Sequence, residues 1–230
     1  MTLREVQRAY GERAAEYAEH LGRMDAVAET DRELVRSWAK TLTGPVLDVG
    51  CGPGHWTAYL HALGVDVTGI DPTPEFIMHA RSAHPPVVFR EGRAEHLDVP
   101  EESLGGVLAW YSLIHAQAAE VAAALVEFAR ALRPGGGLVI GFFEGPVFEP
   151  FDHAITTAHR WPVDALSILV EAAMLHELPG GLYALHEALR EPLRERAEPG
   201  TVEAAAGRVH RYYAELVETA PPTDPQIGAQ

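Results

Sequence analysis

VLDVGCGPGHWTAYLHALGVDVTGID, residues 46–71, decides how the rest of the chain is read. Its first four positions form a short apolar run broken only by Asp48, the signature of a buried strand. Glycines follow at Gly50, Gly52 and Gly54, although glycine gives up more backbone freedom on folding than any other residue. HWTAYLHAL then reads as a helix that stops at Gly64. VDVTGID is a second apolar run, and it ends on an acid, Asp71. Strand, glycine turn, helix and strand make one βαβ unit. A turn without side chains lets a ligand lie against bare backbone, and an acid about twenty residues further on can accept hydrogen bonds from both hydroxyls of a ribose. The spacing is G-x-G-x-G, not the G-x-G-x-x-G of the dinucleotide fingerprint, so a tight turn that needs glycine for geometry alone remains open.

Outward from this unit the alternation continues. PEFIMHARSA is helical, with Pro74 suited to a first helical position. PVVFREG and GGVLAWYS read as the third and fourth strands, AEVAAALVEFARALR as a helix stopped by Pro134, and GLVIGFF as the fifth strand. Continuously apolar strands of this kind are covered on both faces. The fold class is therefore α/β, a Rossmann-like, doubly wound, mostly parallel sheet with helices on both faces, occupying residues 44–150. Ligands of such sheets sit at the carboxyl ends of the strands. Before this core, residues 1–43 are helical: Val6, Tyr10, Ala14, Tyr17 and Leu21 recur three or four apart over 4–21, and a second helix is expected from Asp25 to Lys40. After it, PVDALSILVEAAMLHEL, LYALHEALREPLRERAE and TVEAAAGRVHRYYAELVE predict a helical C-terminal region over 151–220, with a flexible Pro-rich tail at 221–230. The apolar stripes of those helices need cover and motivate a homodimer.

The 230 residues, 47% hydrophobic and with a net charge of -15, describe a globular chain of one large domain, or of one domain with an appended piece. No Lys/Arg cluster offers a footprint for phosphates, so nucleic acid is not an expected partner. The single Cys51 fits a reducing compartment. The first twenty residues carry charges throughout, unlike a secretory signal, and no apolar run is long enough to cross a bilayer. The expectation is a cytoplasmic protein without a membrane partner.

Taken together, these segments resemble the class I S-adenosylmethionine-dependent methyltransferases, in particular the small-molecule branch similar to the ubiquinone-biosynthesis methyltransferases. LDVGCGPGHW resembles the first motif of that family, GIDPTPEFI the acidic ribose loop, REGRAEHLDVP the segment flanking the adenine, VLAWYSLIH the strand beside the methyl group, and FARALRPGGGLVIGFF the helix, turn and strand that follow. The resemblance covers roughly residues 5–165. It implies that Gly50, Cys51, Gly52 and Gly54 line the methionine arm and ribose, that Asp48 lies beneath them, and that Asp71 takes the ribose hydroxyls with Pro72 near the adenine face. Ala94 and Glu95 would border the adenine. Tyr10 and Tyr17 resemble the paired tyrosines of an N-terminal helical lid over S-adenosylmethionine, whose product is S-adenosylhomocysteine. Arg93 stands where the family often has an acid, and Gly105 where an Asp is common. The antiparallel strand pair that usually completes a seven-stranded sheet is not legible; a shorter sheet, or a helical edge, is expected in its place.

A methyl transfer needs mainly position and exclusion of water, with a base where the acceptor loses a proton. His115, at the end of AWYSLIH, is the expected base; Tyr111 would orient the acceptor, Trp110 would form a wall, and Glu144 would bind an amine or take a proton. Packing or solvent-facing roles remain open for each. The twelve histidines show no H-x-x-x-H spacing or Cys/His pairing, so no metal is expected. The reading is a methyltransferase acting on an oxygen or nitrogen of a small-molecule acceptor. A nicotinamide-dependent oxidoreductase and a non-catalytic S-adenosylmethionine-binding protein are the alternatives.

Overall fold

The computed structural model describes residues 2–144, 149–153, 155–161, 175–178 and 182–185. Helix α1 (Leu3–Glu12) opens on a reciprocal cap: the Thr2 hydroxyl accepts from the Glu5 amide while the Glu5 carboxylate accepts from the Thr2 amide. The apolar periodicity runs on through residue 21, but the helix breaks at Arg13, with φ -118° and ψ 14°, and restarts as α2 (Ala14–Leu21). A Cβ on Gly11 would stand 2.9 Å from the Glu75 carboxylate, so the glycine lets the end of α1 lie close to the core. In place of one helix from Asp25 to Lys40 there is a 3₁₀ turn, Met24–Ala26, and then α3 (Glu29–Thr41).

The core follows the expected alternation: β1 (Val46–Val49), α4 (His55–Ala62), β2 (Val67–Asp71), α5 (Pro74–Ala83), β3 (Val88–Glu91), β4 (Leu104–Trp110), α6 (Ala118–Ala131) and β5 (Leu132–Gly141). These five strands run parallel in the order β3-β2-β1-β4-β5. Consecutive residues of β4 face opposite layers. Val107 joins a cluster with Phe128 and Leu132, whereas Leu108 joins one with Val35, Trp38 and Leu60. Both faces are therefore buried, which is why these strands read as unbroken apolar runs. The order reverses direction between β1 and β4, and the crevice at a reversal of this kind is where such sheets bind ligands.

After β5 the chain departs from the expected helices. Short strands β6 (Phe143–Glu144), β7 (Glu149–Asp152) and β8 (Thr157–Trp161) form a separate three-stranded sheet in the order β6-β8-β7. Strands β9 (Leu175–Leu178) and β10 (Leu182–Leu185) extend the main sheet to seven strands, β10 antiparallel to β5 and β9 antiparallel to β10. The strand pair that was not legible is thus present, inside segments whose residue types favour helix. The physical reason is the edge of β5. Its backbone groups need partners, and Tyr183 and Ala184 pair with Leu138 and Gly137. The expected helical region from 186 to 220 and the tail at 221–230 lie outside the described residues, as do the apolar stripes that motivate a homodimer. Among the described residues no helix is long and apolar enough to cross a membrane.

Candidate active site

The carboxyl ends of β1, β2 and β4 open on a cavity of about 520 Å³, walled from the N-terminal side by α1, α2 and α3. The glycine turn forms its floor. Gly50 has φ +72°, and a Cβ there would stand 2.2 Å from Cβ of Ser112, so the turn and the end of β4 approach as closely as backbone allows. Gly52 has φ +53° with nothing within 4 Å of a Cβ position. Gly54 is different. It begins α4 at φ +89°, a Cβ would stand 2.7 Å from the Phe89 ring, and it does not line the cavity. Its missing side chain lets the helix pack on β3.

Asp71, 6% exposed at the end of β2, is the best-held carboxylate of the site. Its Oδ1 accepts from the Thr73 amide at 2.8 Å and its Oδ2 from the Gly52 amide at 3.0 Å, which ties strand end to glycine turn. Burial raises its pKa, while the two backbone N–H groups pull it down. Asp48, 1% exposed, accepts from the Thr57 hydroxyl at 2.6 Å. Burial pushes it up to about 7, the Thr57 hydrogen bond opposes that rise and the nearby charge of Asp71 adds to it. Burial also holds the Cys51 thiol well above its ordinary range, so Cys51 stays protonated and packs.

Across the cavity stands His115, 7% exposed. Its Nδ1 lies 2.7 Å from the carbonyl oxygen of Thr157, in β8, and its Nε2 lies 2.7 Å from the hydroxyl of Tyr10. A carbonyl can only accept, so Nδ1 carries the proton and Nε2 offers a lone pair to the Tyr10 O–H. Burial lowers the His115 pKa to about 4, a drop the Thr157 carbonyl partly offsets. The ring is therefore neutral at pH 7. Tyr10 itself is shifted upward by burial and stays protonated. Tyr10, Tyr17 and Phe76 form an aromatic cluster with centroids 5.4–5.7 Å apart, and the Gln7 amide donates to the Pro72 carbonyl at 2.7 Å. These contacts hold the N-terminal helices on the core.

Tyr111 follows β4 with φ 51°, a left-handed conformation uncommon for an aromatic residue and often found at functional sites. It belongs to a run of rings: Trp56 to Trp110 at 5.0 Å, Trp110 to Tyr111 at 5.8 Å, and Tyr111 to Phe143 at 5.0 Å. Burial, with a smaller effect of Asp31, pushes the Tyr111 hydroxyl up to about 12. Ala94 and Glu95 line the side below β3, with Glu95 gripped by the Arg93 guanidinium. That ion pair turns Arg93 toward its own neighbour.

The structure thus brings Tyr10, Tyr17, Asp48, Gly50, Cys51, Gly52, Asp71, Pro72, Ala94, Glu95, Trp110, Tyr111 and His115 onto one cavity. Glu144 ends β6, but its side chain is outside the described residues. Sequence reasoning missed Gln7, Asp31, Ser112, His153 and Thr157. Gln7 sits one helical turn before Tyr10, a spacing that offers a signal. Asp31 reads only as an acid in the first turn of a helix, and the Thr157 carbonyl has no side-chain signature at all. Among the described residues no group of three His, Cys, Asp or Glu is arranged to hold a metal ion.

Comparison with known proteins bears on this geometry. Residues 46–136 match the family described as a methyltransferase domain. A malonyl-[acyl-carrier protein] O-methyltransferase of Erwinia billingiae is 26% identical over 169 residues, covering 70% of this chain and 65% of its own length. An uncharacterized methyltransferase of Mycobacterium bovis is 40% identical over 96 residues, 40% of this chain and 37% of that protein. The chain thus spans less than two thirds of these curated relatives. Among solved structures, the 1,6-didemethyltoxoflavin-N1-methyltransferase of Burkholderia thailandensis, with 1,6-didemethyltoxoflavin and S-adenosylhomocysteine bound, superposes with a TM-score of 0.55 at 25% identity, over 77% of this chain and 81% of that one. Residues 46–136 thus match a methyltransferase domain, and these likenesses support a class I methyltransferase with S-adenosylmethionine as its cofactor.

Proposed function

We propose that the chain transfers a methyl group from S-adenosylmethionine to an oxygen or nitrogen of a small-molecule acceptor. The observation that carries this reading is the meeting of the glycine turn and the Asp71 carboxylate on a cavity that His115 lines from the opposite wall. The residues fit the cofactor. Each Asp71 oxygen accepts one backbone N–H, which leaves each a lone pair for a ribose hydroxyl. Gly52, with nothing within 4 Å of its Cβ position, leaves room for the methionine arm, while Gly50 lets the turn close on Ser112. The Ser112 hydroxyl, buried beside them with no hydrogen-bond partner among the described residues, is available to a polar group of that arm.

The bound sulfonium supplies an electrophilic methyl group, and the protein supplies position, dryness and a route for a proton. Tyr10, Tyr17 and Phe76 close the cavity from the N-terminal side and exclude water. His115 Nε2 is unprotonated at neutral pH and takes the acceptor's proton, directly or through the Tyr10 hydroxyl bonded to it. The Thr157 carbonyl fixes the tautomer and steadies the imidazolium that forms. Trp110 and Tyr111 form the acceptor wall. Both acceptor atoms stay in view, since the Erwinia relative is named an O-methyltransferase and the Burkholderia neighbour an N1-methyltransferase.

Calorimetry with S-adenosylmethionine, S-adenosylhomocysteine and NAD, followed by methyl release against a panel of small hydroxyl and amine acceptors, tests the reading. The expected result is binding of both sulfur nucleosides, no NAD binding and turnover with at least one acceptor. NAD binding without S-adenosylhomocysteine binding overturns it.

A further inference from the structure

Asp31 lines the cavity but has no part in the methyl-donor site described above. It lies in the first turn of α3, where an acid favours the helix dipole, yet it also lines the cavity. Its carboxylate is half-buried, and burial raises its pKa with no cation to oppose the rise. Among the described residues it makes no hydrogen bond or ion pair. The guanidinium groups nearest in sequence are committed elsewhere: Arg32 to Glu29 and the Met24 carbonyl, Arg36 to Glu33 and the Tyr59 hydroxyl. It lines the same cavity as Trp110, Tyr111 and Phe143, and its charge acts on the Tyr111 hydroxyl.

A partly desolvated carboxylate is costly without a positive partner, and aromatic faces attract cations, most strongly when desolvated. The two features ask for the same ligand group. An acidic chain, with a net charge of -15, would also draw cations toward its clefts. A neutral or anionic acceptor would leave the carboxylate unpaired.

We propose that Asp31, with Trp110 and Tyr111, recognises a cationic amine on the methyl acceptor, so that the acceptor is an aromatic or aliphatic compound carrying an ammonium group. This rests on the methyltransferase reading and narrows its acceptor to the amines. Asp31 is a positioning residue here. The group it holds keeps its proton, and the atom that takes the methyl is a different one.

The test uses the full chain saturated with S-adenosylhomocysteine and three probes of similar shape, 2-phenylethylamine, 2-phenylethanol and 3-phenylpropionate, titrated calorimetrically at pH 7. The ammonium probe should bind at least about tenfold more tightly than the alcohol, with the carboxylate weakest, as a charge-assisted hydrogen bond demands. In Asp31→Asn, which keeps shape and removes charge, the preference for ammonium over alcohol should vanish. Equal affinities for the three probes in the parent chain, no binding of any at millimolar concentration, or a preference that survives in Asp31→Asn overturns the proposal. The comparison of probes on the parent chain stands even if the variant fails to fold. S-adenosylhomocysteine affinity separates the two readings: if it binds and the ammonium preference is missing, the amine proposal alone fails, whereas if it does not bind, the methyltransferase reading fails first.

Discussion

Replacing Asp71 by alanine tests the cofactor site most directly, because the structure separates what the carboxylate does for the fold from what it would do for a ligand. In the fold its two oxygens accept from the Thr73 and Gly52 amides at 2.8 and 3.0 Å. Asp71→Ala strips both donors of their acceptor. Each unsatisfied buried donor costs about 1–3 kcal/mol, two together about 2–6; water entering from the cavity keeps the total near the lower end, so urea denaturation should show a loss of about 2–3 kcal/mol. For the ligand, hydrogen bonds from ribose hydroxyls to an ionised carboxylate are worth about 1.5–3 kcal/mol each. Losing them should weaken S-adenosylhomocysteine binding by at least about tenfold. The decisive comparison is between S-adenosylhomocysteine and its 2′,3′-dideoxy counterpart. The parent should strongly prefer the ribose form, and Asp71→Ala should treat the two alike, a difference that cancels any general loosening of the fold. If the variant keeps the preference, the ribose is held elsewhere and the assignment of Asp71 is wrong.

Three further outcomes follow from the same site. Gly50→Ala should fail to fold or lose roughly 3 kcal/mol or more, since its Cβ would collide with Ser112 at 2.2 Å on top of left-handed strain, whereas Gly52→Ala meets nothing within 4 Å and should lose only about 1–2 kcal/mol while weakening cofactor binding; equal melting of the two variants would contradict the geometry. His115→Ala should retain S-adenosylhomocysteine binding and slow methyl transfer by roughly 10²–10⁴-fold; with Nε2 titrating at about 4, the parent's rate should be level at neutral pH and fall only as pH drops toward 4, and a variant at full speed removes His115 from the chemistry. Asp48, held at about 7 against about 3.9 in the unfolded chain, keeps a proton that the unfolded state gives up, so stability is lost as pH rises from about 4 through 7. Asp48→Asn, whose amide oxygen can still accept from Thr57, should raise stability at pH 8 by on the order of 4 kcal/mol and leave it unchanged near pH 4; urea midpoints at the two pH values decide, and a variant less stable at pH 8 refutes the argument.

The parallel core was legible because each strand is a short apolar run between glycines or prolines, and both faces are covered. β9 and β10 were not, because LHEL and LYAL are four-residue stretches of helix-favouring types, and only the waiting edge of β5 makes them strands. Within the glycine turn, the sequence could not say which glycine faces a ligand. Gly54 answers to the Phe89 ring, a contact with a strand 35 residues away in the chain. Gly105, which departs from the resembled family, likewise has a neighbour to explain it: a Cβ there would stand 2.0 Å from the Thr43 carbonyl. The partners of His115 were hidden for a related reason. One is a main-chain oxygen and the other a hydroxyl on the N-terminal helix, 42 and 105 residues away.

Those two partners also link access to chemistry. The bond from Tyr10 to His115 closes the N-terminal helices over the cavity, and it also occupies the lone pair that the proposed reaction needs. An acceptor must therefore either displace the Tyr10 hydroxyl, which loosens the lid, or pass its proton through that hydroxyl with the lid closed. The second course keeps water out and leaves Tyr17 and Phe76 in place. It also suits a ring whose pKa lies near 4, since a weak base gains most from a partner that stabilises the proton in transit. On this reasoning the Gln7–Pro72 and Tyr10–His115 bonds are not merely fastenings of an N-terminal segment. In the proposed reaction, a proton passed through Tyr10 would put it last in the order of events, after cofactor and acceptor are seated and the helices closed.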